Sequence, residues 1–461
     1  MKTSRMIIAF RSRLRWLVPG MGVKRWILAL LFGGLCLSLA LSDGLETVYG
    51  WFPSLGTWVR DVVNALTLRD APPLARTLIF GVAGAAITFW ALRAIKQNLL
   101  APFMRPGLSI SKVVSDHRRR GRGPKVVAIG GGTGLSTLLR GLKRHTSNLT
   151  AIVTVADDGG SSGRLRRSLG VLPPGDFRNC IAALADDESL MTQLFQYRFG
   201  ARAEADPVRA VAQHPDPSGR DGLGGHSFGN LFITAMAEVA GSFERALLES
   251  SNVLAIHGQV LPSTLRDVTL VGELVDEGAQ VSRVEGESRI TVTPGAIRRV
   301  YLQPDDAPAY PGAIRALLDA DLIVLGPGSL YTSLLPNLLV HDLAEAIRAS
   351  RAIKVYVCNT ATQPGETDGY SVLDHVQAIE RHTWPGLFPL VFANARQAGT
   401  LLPNLQWVKL DSPLDEERQV LVADLADGEH PWRHDSDKLA NALMRLVVNA
   451  PEADVYIPQQ I

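Results

Sequence analysis

Residues 125–141 read KVVAIGGGTGLSTLLRG: an apolar, largely β-branched run, a glycine cluster, then apolar positions at helical spacing. A strand that is apolar at every position is covered on both faces, the pattern of a parallel sheet with helices on either side. LTAIVTVA (149–156), ADLIVLG (320–326), AIKVYVCN (352–359) and PLVFAN (389–394) repeat it, with helix-period segments such as SLLPNLLVHDLAEAIRAS between them. The pattern predicts an α/β fold built on a doubly wound, mostly parallel sheet. Residues 266–303 are Gly- and charge-punctuated with partial alternation, which predicts a small antiparallel excursion. No internal repeat is visible.

The N-terminal quarter has a different composition. Residues 1–25 carry seven basic residues and no acidic one, followed by the uncharged run WILALLFGGLCLSLALS (26–42). A second uncharged run, TLIFGVAGAAITFWAL, spans 77–92, and Arg93 and Lys96 follow it. Each is near the short end of the about 17–25 residues that cross a bilayer. Positive charge lies outside the pair at both ends, ending in HRRRGRGPK (117–125). The expectation is a membrane anchor of two transmembrane helices over 1–96, with both termini cytoplasmic and the 43–76 loop outside. A basic juxtamembrane linker would follow over 97–123 and the α/β domain over 124–461. That places the protein as a multi-pass inner-membrane protein with a cytoplasmic C-terminal domain.

A formal net charge of +2 gives no electrostatic reason to bind nucleic acid. Cys36, Cys180 and Cys358 form neither a CxxC pair nor a Cys/His spacing, so they read as reduced, non-ligating thiols.

In parallel sheets, ligands sit outside the carboxyl ends of the strands, and every polar loop here follows such a strand. Gly131, Gly132, Thr133 and Gly134 open a helix and can bring backbone N–H groups to an anion. Counting from Gly130, the sixth position is Leu135 rather than glycine, and no Gly-Lys-Ser/Thr follows. The loop therefore fits neither the dinucleotide fingerprint nor a P-loop. A nucleotide-sugar, a dinucleotide and a plain tight turn all remain open at this point.

ADDGGSSGRLRR (156–167) ends the second strand with Asp157, Asp158, Gly159, Ser161 and Ser162, where a carboxylate reads ribose or holds a divalent cation. Arg164, Arg166 and Arg167 could fork onto phosphate. LPPGDFRN (172–179) presents Asp176, Arg178 and Asn179, and GGHSFGNL (224–231) presents His226 and Asn230. GPGSLYTS (326–333) repeats the glycine theme with Gly326, Gly328 and Ser329, and CNTATQPGETDGYS (358–371) closes the set. No Ser-His-Asp order or paired carboxylate can be assigned by spacing, so no catalytic residue is named.

Taken in order, VVAIGGGTGLSTLLRGLK, VTVADDGGSSGRLR, LPPGDFRNC, GHSFGNLF, LGPGSLYTSLLPNLL and VCNTATQPGETDGYSVLDHV resemble the bacterial gluconeogenesis-factor (YvcK-like) family. This family lies within the group similar to 2-phospho-L-lactate transferase (CofD-like). The resemblance covers roughly 124–459. It implies a Rossmann-like core and a nucleotide cleft formed by the residues named above. It further implies binding of a nucleotide-sugar such as UDP-N-acetylglucosamine, with roles in cell morphogenesis and growth on gluconeogenic carbon sources. Cell-wall synthesis proteins and a second copy of the chain are the expected partners, with no cofactor required. The transferase branch implies the alternative, transfer of a phospholactyl-type group from a nucleotide diphosphate donor, for which Mg²⁺ would serve. The N-terminal hairpin departs from soluble members of the family.

Overall fold

The computed structural model describes residues 26, 28–34, 71–100, 120–185, 188–200, 222–410 and 419–448. The chain divides into two compact units, Met1–Asp116 and His117–Ile461.

In the first unit one helix, Pro73–Leu100, is described in full. Its segment Thr77–Ile95 has a mean hydropathy of 1.8 and is only 17% buried, so it is long and apolar enough to cross a membrane. Leu78, Ile79, Val82, Phe89 and Trp90 are exposed along it. Residues 26 and 28–34 are helical too. Trp26 meets Trp90 edge-on at 4.7 Å, and Gly33 lies against Thr88, where any side chain would collide. The rest of the first expected span and most of the 43–76 loop and basic linker lie outside the described residues.

The second unit is α/β, with a mostly parallel sheet and a small antiparallel one. Ten strands are described: β1 (Val126–Gly130), β2 (Leu149–Val153), β3 (Gln259–Pro262), β4 (Thr269–Val275), β5 (Val281–Glu285), β6 (Ala296–Gln303), β7 (Leu322–Leu325), β8 (Ile353–Val357), β9 (Leu390–Asn394) and β10 (Gln419–Ala423). The large sheet runs β10-β9-β8-β7-β1-β2-β3, and every pair in it is parallel. β1, β2 and β7 are buried at each position, the reason their sequences are continuously apolar. The antiparallel sheet β5-β4-β6 occupies the predicted excursion.

The strand order reverses between β1 and β7. From β1 the chain proceeds outward to β2 and β3, and from β7 outward to β8, β9 and β10. The loops leaving β1 and β7 therefore diverge to opposite faces and open a crevice between them.

Candidate functional site: a cleft at the strand-order switch

That crevice is a cleft of about 520 Å³, within the about 300–1,000 Å³ typical of small-molecule sites. Gly131–Gly134 from the β1 loop, Pro327–Ser329 with Thr332 and Ser333 from the β7 loop, and Asn359–Glu366 residues after β8 line it. Glu287 and Thr291, just beyond β5, close one side, and Trp432, Arg433 and His434 another.

The β1 loop is shaped for an anion. The helix Gly132–Leu142 is capped by Gly131, which has no side chain to accept its first-turn N–H groups. Gly132 has a φ of +63°, which glycine adopts without strain. Gly134 lies so close to the Pro327 carbonyl that a Cβ would collide with that backbone, so glycine here lets the two loops meet. The Asp176 carboxyl takes the Gly132 N–H, and Thr133 and Gly134 of the same first turn line the cleft.

The β7 loop looks similar in sequence but differs in electrostatics. Its helical turn Leu330–Leu334 already holds an anion of the protein's own. Glu366 accepts the Tyr331 N–H (3.1 Å) and the Thr332 hydroxyl (2.8 Å). Gly328 and Ser329 still line the cleft. Gly328 exchanges two hydrogen bonds with the Asn359 side chain (3.2 and 2.9 Å), and Ser329 Oγ accepts from Gln363 Nε2 (2.7 Å). Gly326 (φ +82°) turns the chain out of β7 behind them. Each of the two helix starts thus carries one buried carboxyl, Asp176 at Gly132 and Glu366 at Tyr331 and Thr332.

Behind the β1 loop stands a group of carboxyls. Burial, then the neighbouring Asp157 charge, pushes Asp176 up to about 7. Glu287, at the cleft wall, is pushed up to about 8 by burial and then by Asp157 and Asp158. Burial also raises Asp157 and Glu366. Asp157 Oδ1 accepts the Gly159 N–H (2.9 Å), and Asp158 Oδ1 accepts the Ser288 N–H (2.9 Å), tying the β2 loop to the small sheet. Among the described residues no group of three or more His, Cys, Asp or Glu side chains could hold a metal ion. A Mg²⁺ here would need oxygens from a ligand to complete its set.

The remaining sequence-predicted residues form a second, adjoining polar network away from the cleft lining. Asn230 Nδ2 donates to Ser161 Oγ (3.1 Å) and Ser162 Oγ (3.4 Å), and Ser162 Oγ accepts the Gly175 N–H (3.1 Å). Arg178 donates to Ser227 Oγ (2.7 Å) and Asn179 Oδ1 (3.0 Å), and Ser227 caps the helix Phe228–Ala240. His226 Nδ1 lies 2.9 Å from Ser161 Oγ, and Arg164 Nε lies 3.4 Å from His226 Nε2. Since arginine only donates, Nε2 is the acceptor and Nδ1 carries the proton. Nδ1–H then donates to Ser161 and cannot take its proton, so this is not a nucleophile–base pair. Arg166 is also removed from phosphate duty, pairing with Asp267 and the Val268 carbonyl (2.5 Å each).

Glu287, Thr291, Leu405 and Trp432–His434 were not anticipated from sequence. They come from outside the glycine-rich strand ends, and only the aromatic and basic cluster HPWRH (430–434) marks the last of them.

The family model described as 2-phospho-L-lactate transferase CofD matches residues 126–451. A relative from Nostoc sp., described as a candidate gluconeogenesis factor, is 45% identical and covers 94% of this chain and 92% of its own, so it takes in most of the N-terminal unit. The gluconeogenesis factor of Bacillus subtilis is 42% identical and covers 71% of this chain and 99% of its own. A crystal structure of a UPF0052-family protein from Bacillus halodurans superposes with a TM-score of 0.61 at 40% identity, covering 70% of this chain and 99% of that one. With fold, cleft and relatives in agreement, the chain belongs to the CofD family, in its gluconeogenesis-factor (YvcK-like) group.

Proposed function

We propose that the protein is a membrane-anchored regulator whose cleft binds a nucleotide-sugar of the UDP-N-acetylglucosamine type. Through that ligand it would match cell shape and growth on gluconeogenic carbon sources to precursor supply. The observation that carries this reading is the glycine-capped helix end at the β1/β7 switch point. Thr133 and Gly134 of its first turn line a cleft of nucleotide-sugar size. Glu287 and Asp176, both held toward the neutral form near pH 7, lessen the repulsion a diphosphate would meet. The exposed apolar helix around Thr77–Ile95 supports anchoring in the inner membrane, with the second unit in the cytoplasm beside cell-wall synthesis enzymes.

In this mechanism the chain's residues bind and orient rather than react. Thr133 and Gly134 N–H groups hold the diphosphate, the β7 and β8 loops border the remainder, and Asp157 and Asp158 stiffen the β2 loop behind the site. The test is titration calorimetry with UDP-N-acetylglucosamine, with and without Mg²⁺, followed by recovery of the ligand. Micromolar binding with the ligand intact is expected. Absence of binding would refute the reading, and loss of the sugar would make the protein an enzyme.

One observation favours a second reading: buried carboxyls stand directly behind the phosphate-suited loop. In a transferase of the phospholactyl type, Mg²⁺ there would neutralise charge on the donor diphosphate. Failure to consume a guanosine diphosphate-linked donor with Mg²⁺ and a deazaflavin acceptor would exclude it.

A further inference from the structure

The strands of the large sheet all run the same way, so their starts share one edge and their ends, with the cleft, the other. The two edges differ in charge. Asp157, Asp158, Asp176, Glu287 and Glu366 gather beyond the strand ends. Where β1, β7, β8 and β9 start, arginines predominate. Arg120 and Arg122 precede β1, and Arg315 lies in the last turn of the helix Pro311–Leu318 before β7. Arg351 follows the helix His341–Ala349 before β8, and Arg381 lies in the last turn of the helix Val372–His382 before β9. Four of the five are exposed and Arg120 is half-buried. Among the described residues none of them has a carboxylate partner.

Cations at helix ends complement the helix dipole, which accounts for Arg315 and Arg381 but not for Arg120 and Arg122 before a strand. The acids along this stretch are already engaged. Lys125 pairs with Asp319 (2.6 Å) and donates its N–H to Asp321 (2.8 Å), Arg348 pairs with Glu345 (3.3 Å), and Glu380 accepts the Gly386 N–H (2.9 Å). Toward β2 and β3 the excess ends. The helix Gly175–Leu184 finishes there, with Lys143 donating to the Ala183 and Ala185 carbonyls, and Asp186, Asp187 and Glu188 follow in sequence.

Arg120 and Arg122 belong to the basic run HRRRGRGPK, and the end of that run is built into the domain. The Arg120 carbonyl accepts the Gly123 and Ser147 N–H groups (3.1 Å each). Asn148 Nδ2 donates to the Gly123 carbonyl (2.7 Å) and Thr146 Oγ1 to the Pro124 carbonyl (2.9 Å). The basic segment is thus held beside the strand starts, where the chain enters from the unit that carries the apolar helix Pro73–Leu100.

We propose that this edge, from β1 to β9, docks on an anionic lipid surface with its arginines against the headgroup phosphates. This rests on the anchoring reading above, which brings the edge to a membrane. Each basic residue near an anionic leaflet adds attraction, and a guanidinium forks onto phosphate oxygens. Docked in this way, the edge leaves the cleft, at the other end of the strands, open to solvent.

The test is amide hydrogen exchange of the full-length protein in nanodiscs of phosphatidylcholine, alone or mixed with phosphatidylglycerol. The variant is Arg315→Glu/Arg351→Glu/Arg381→Glu, with thermal melts as the folding control. We expect exchange over 120–125 and 348–354 to slow by about threefold or more on the anionic discs only, an effect lost in high salt and in the variant. Exchange over 131–134 should be the same on both lipids. Equal exchange over the edge on both discs would overturn the docking and leave the anchoring reading standing. A wild type that stays out of the discs overturns the anchoring reading, and sedimentation with phosphatidylglycerol vesicles then decides the docking. Pelleting of the wild type but not of the variant supports it; equal pelleting, or none, overturns it.

Discussion

Asp176 lies against the backbone of Gly131, and its carboxyl occupies the space that a Cβ at that position would need. The same carboxyl takes the Gly132 N–H, so one buried acid fixes the first turn of the helix that opens toward the cleft. The glycines of this loop are thus required for two different contacts, and they respond differently to substitution.

Gly131→Ala pushes on the end of a side chain, with Thr154 and Ser333 next nearest at 3.2 and 3.3 Å. Asp176 must swing away, and the helix end loses its alignment. We expect nucleotide affinity to fall at least tenfold with a small change in melting temperature. Gly134→Ala meets the Pro327 backbone, which has no side-chain rotation to yield with. Here stability should drop by about 1–3 kcal/mol, the range for overpacking. Paired melts and titrations of both variants check the contrast; equal stability losses would contradict it.

Asp176 and Glu287 are raised, to about 7 and about 8. Below about pH 3 both are largely protonated in either state and contribute little pH dependence. As pH rises, the unfolded chain loses these protons while the folded protein keeps them, so folding stability falls until both folded values are passed. Ligand binding should follow the same direction, weakening between about pH 6.5 and 8.5 as the carboxyls beside the diphosphate ionise. Asp176→Asn and Glu287→Gln should each flatten that profile. Titrations across pH in matched ionic strength test this, and affinity that rises with pH would contradict it.

Glu366 satisfies the Tyr331 amide and the Thr332 hydroxyl from inside the protein. Glu366→Ala leaves buried donors without an acceptor, at a cost of about 1–3 kcal/mol for each unsatisfied group. Glu366→Gln keeps one acceptor oxygen and should cost less. Chemical denaturation of the three proteins measures the order, wild type above Gln above Ala.

His226 is neutral and already donates to Ser161; burial, then Arg164 and Arg198, lowers its affinity for a proton. His226→Gln should therefore reduce stability by about 1 kcal/mol, the size of one buried hydrogen bond, and leave nucleotide binding within a few-fold. A hundredfold loss of binding with an unchanged melt would place His226 in the site.

Much of this architecture is legible in the chain itself. β1, β2, β7, β8 and β9 lie inside the large sheet and are mostly buried, so their residues are mostly apolar and stand out from the helices around them. β3 (QVLP) and β10 (QVLVA) are edge strands, each half-exposed and short, and nothing in their composition separates them from loops. The cleft's glycine side was readable because phosphate-suited loops need glycine at fixed positions. Its other walls were not. Glu287 arrives from beside the small sheet and Arg433 from beyond β10, more than 150 and more than 300 residues after Gly131, and only the fold brings them together. The Glu366 carboxyl at Tyr331 also could not be read, because a filled helix end and an open one share the same glycine-rich spelling.

The most direct measurement is a crystal structure of the protein with UDP-N-acetylglucosamine bound. The expected result is a diphosphate within hydrogen-bond distance of the Thr133 and Gly134 amides, inside the cleft between β1 and β7. A ligand seated instead against Ser161, His226 and Arg178, with the glycine-capped helix end empty, would contradict the assignment of the cleft as the binding site.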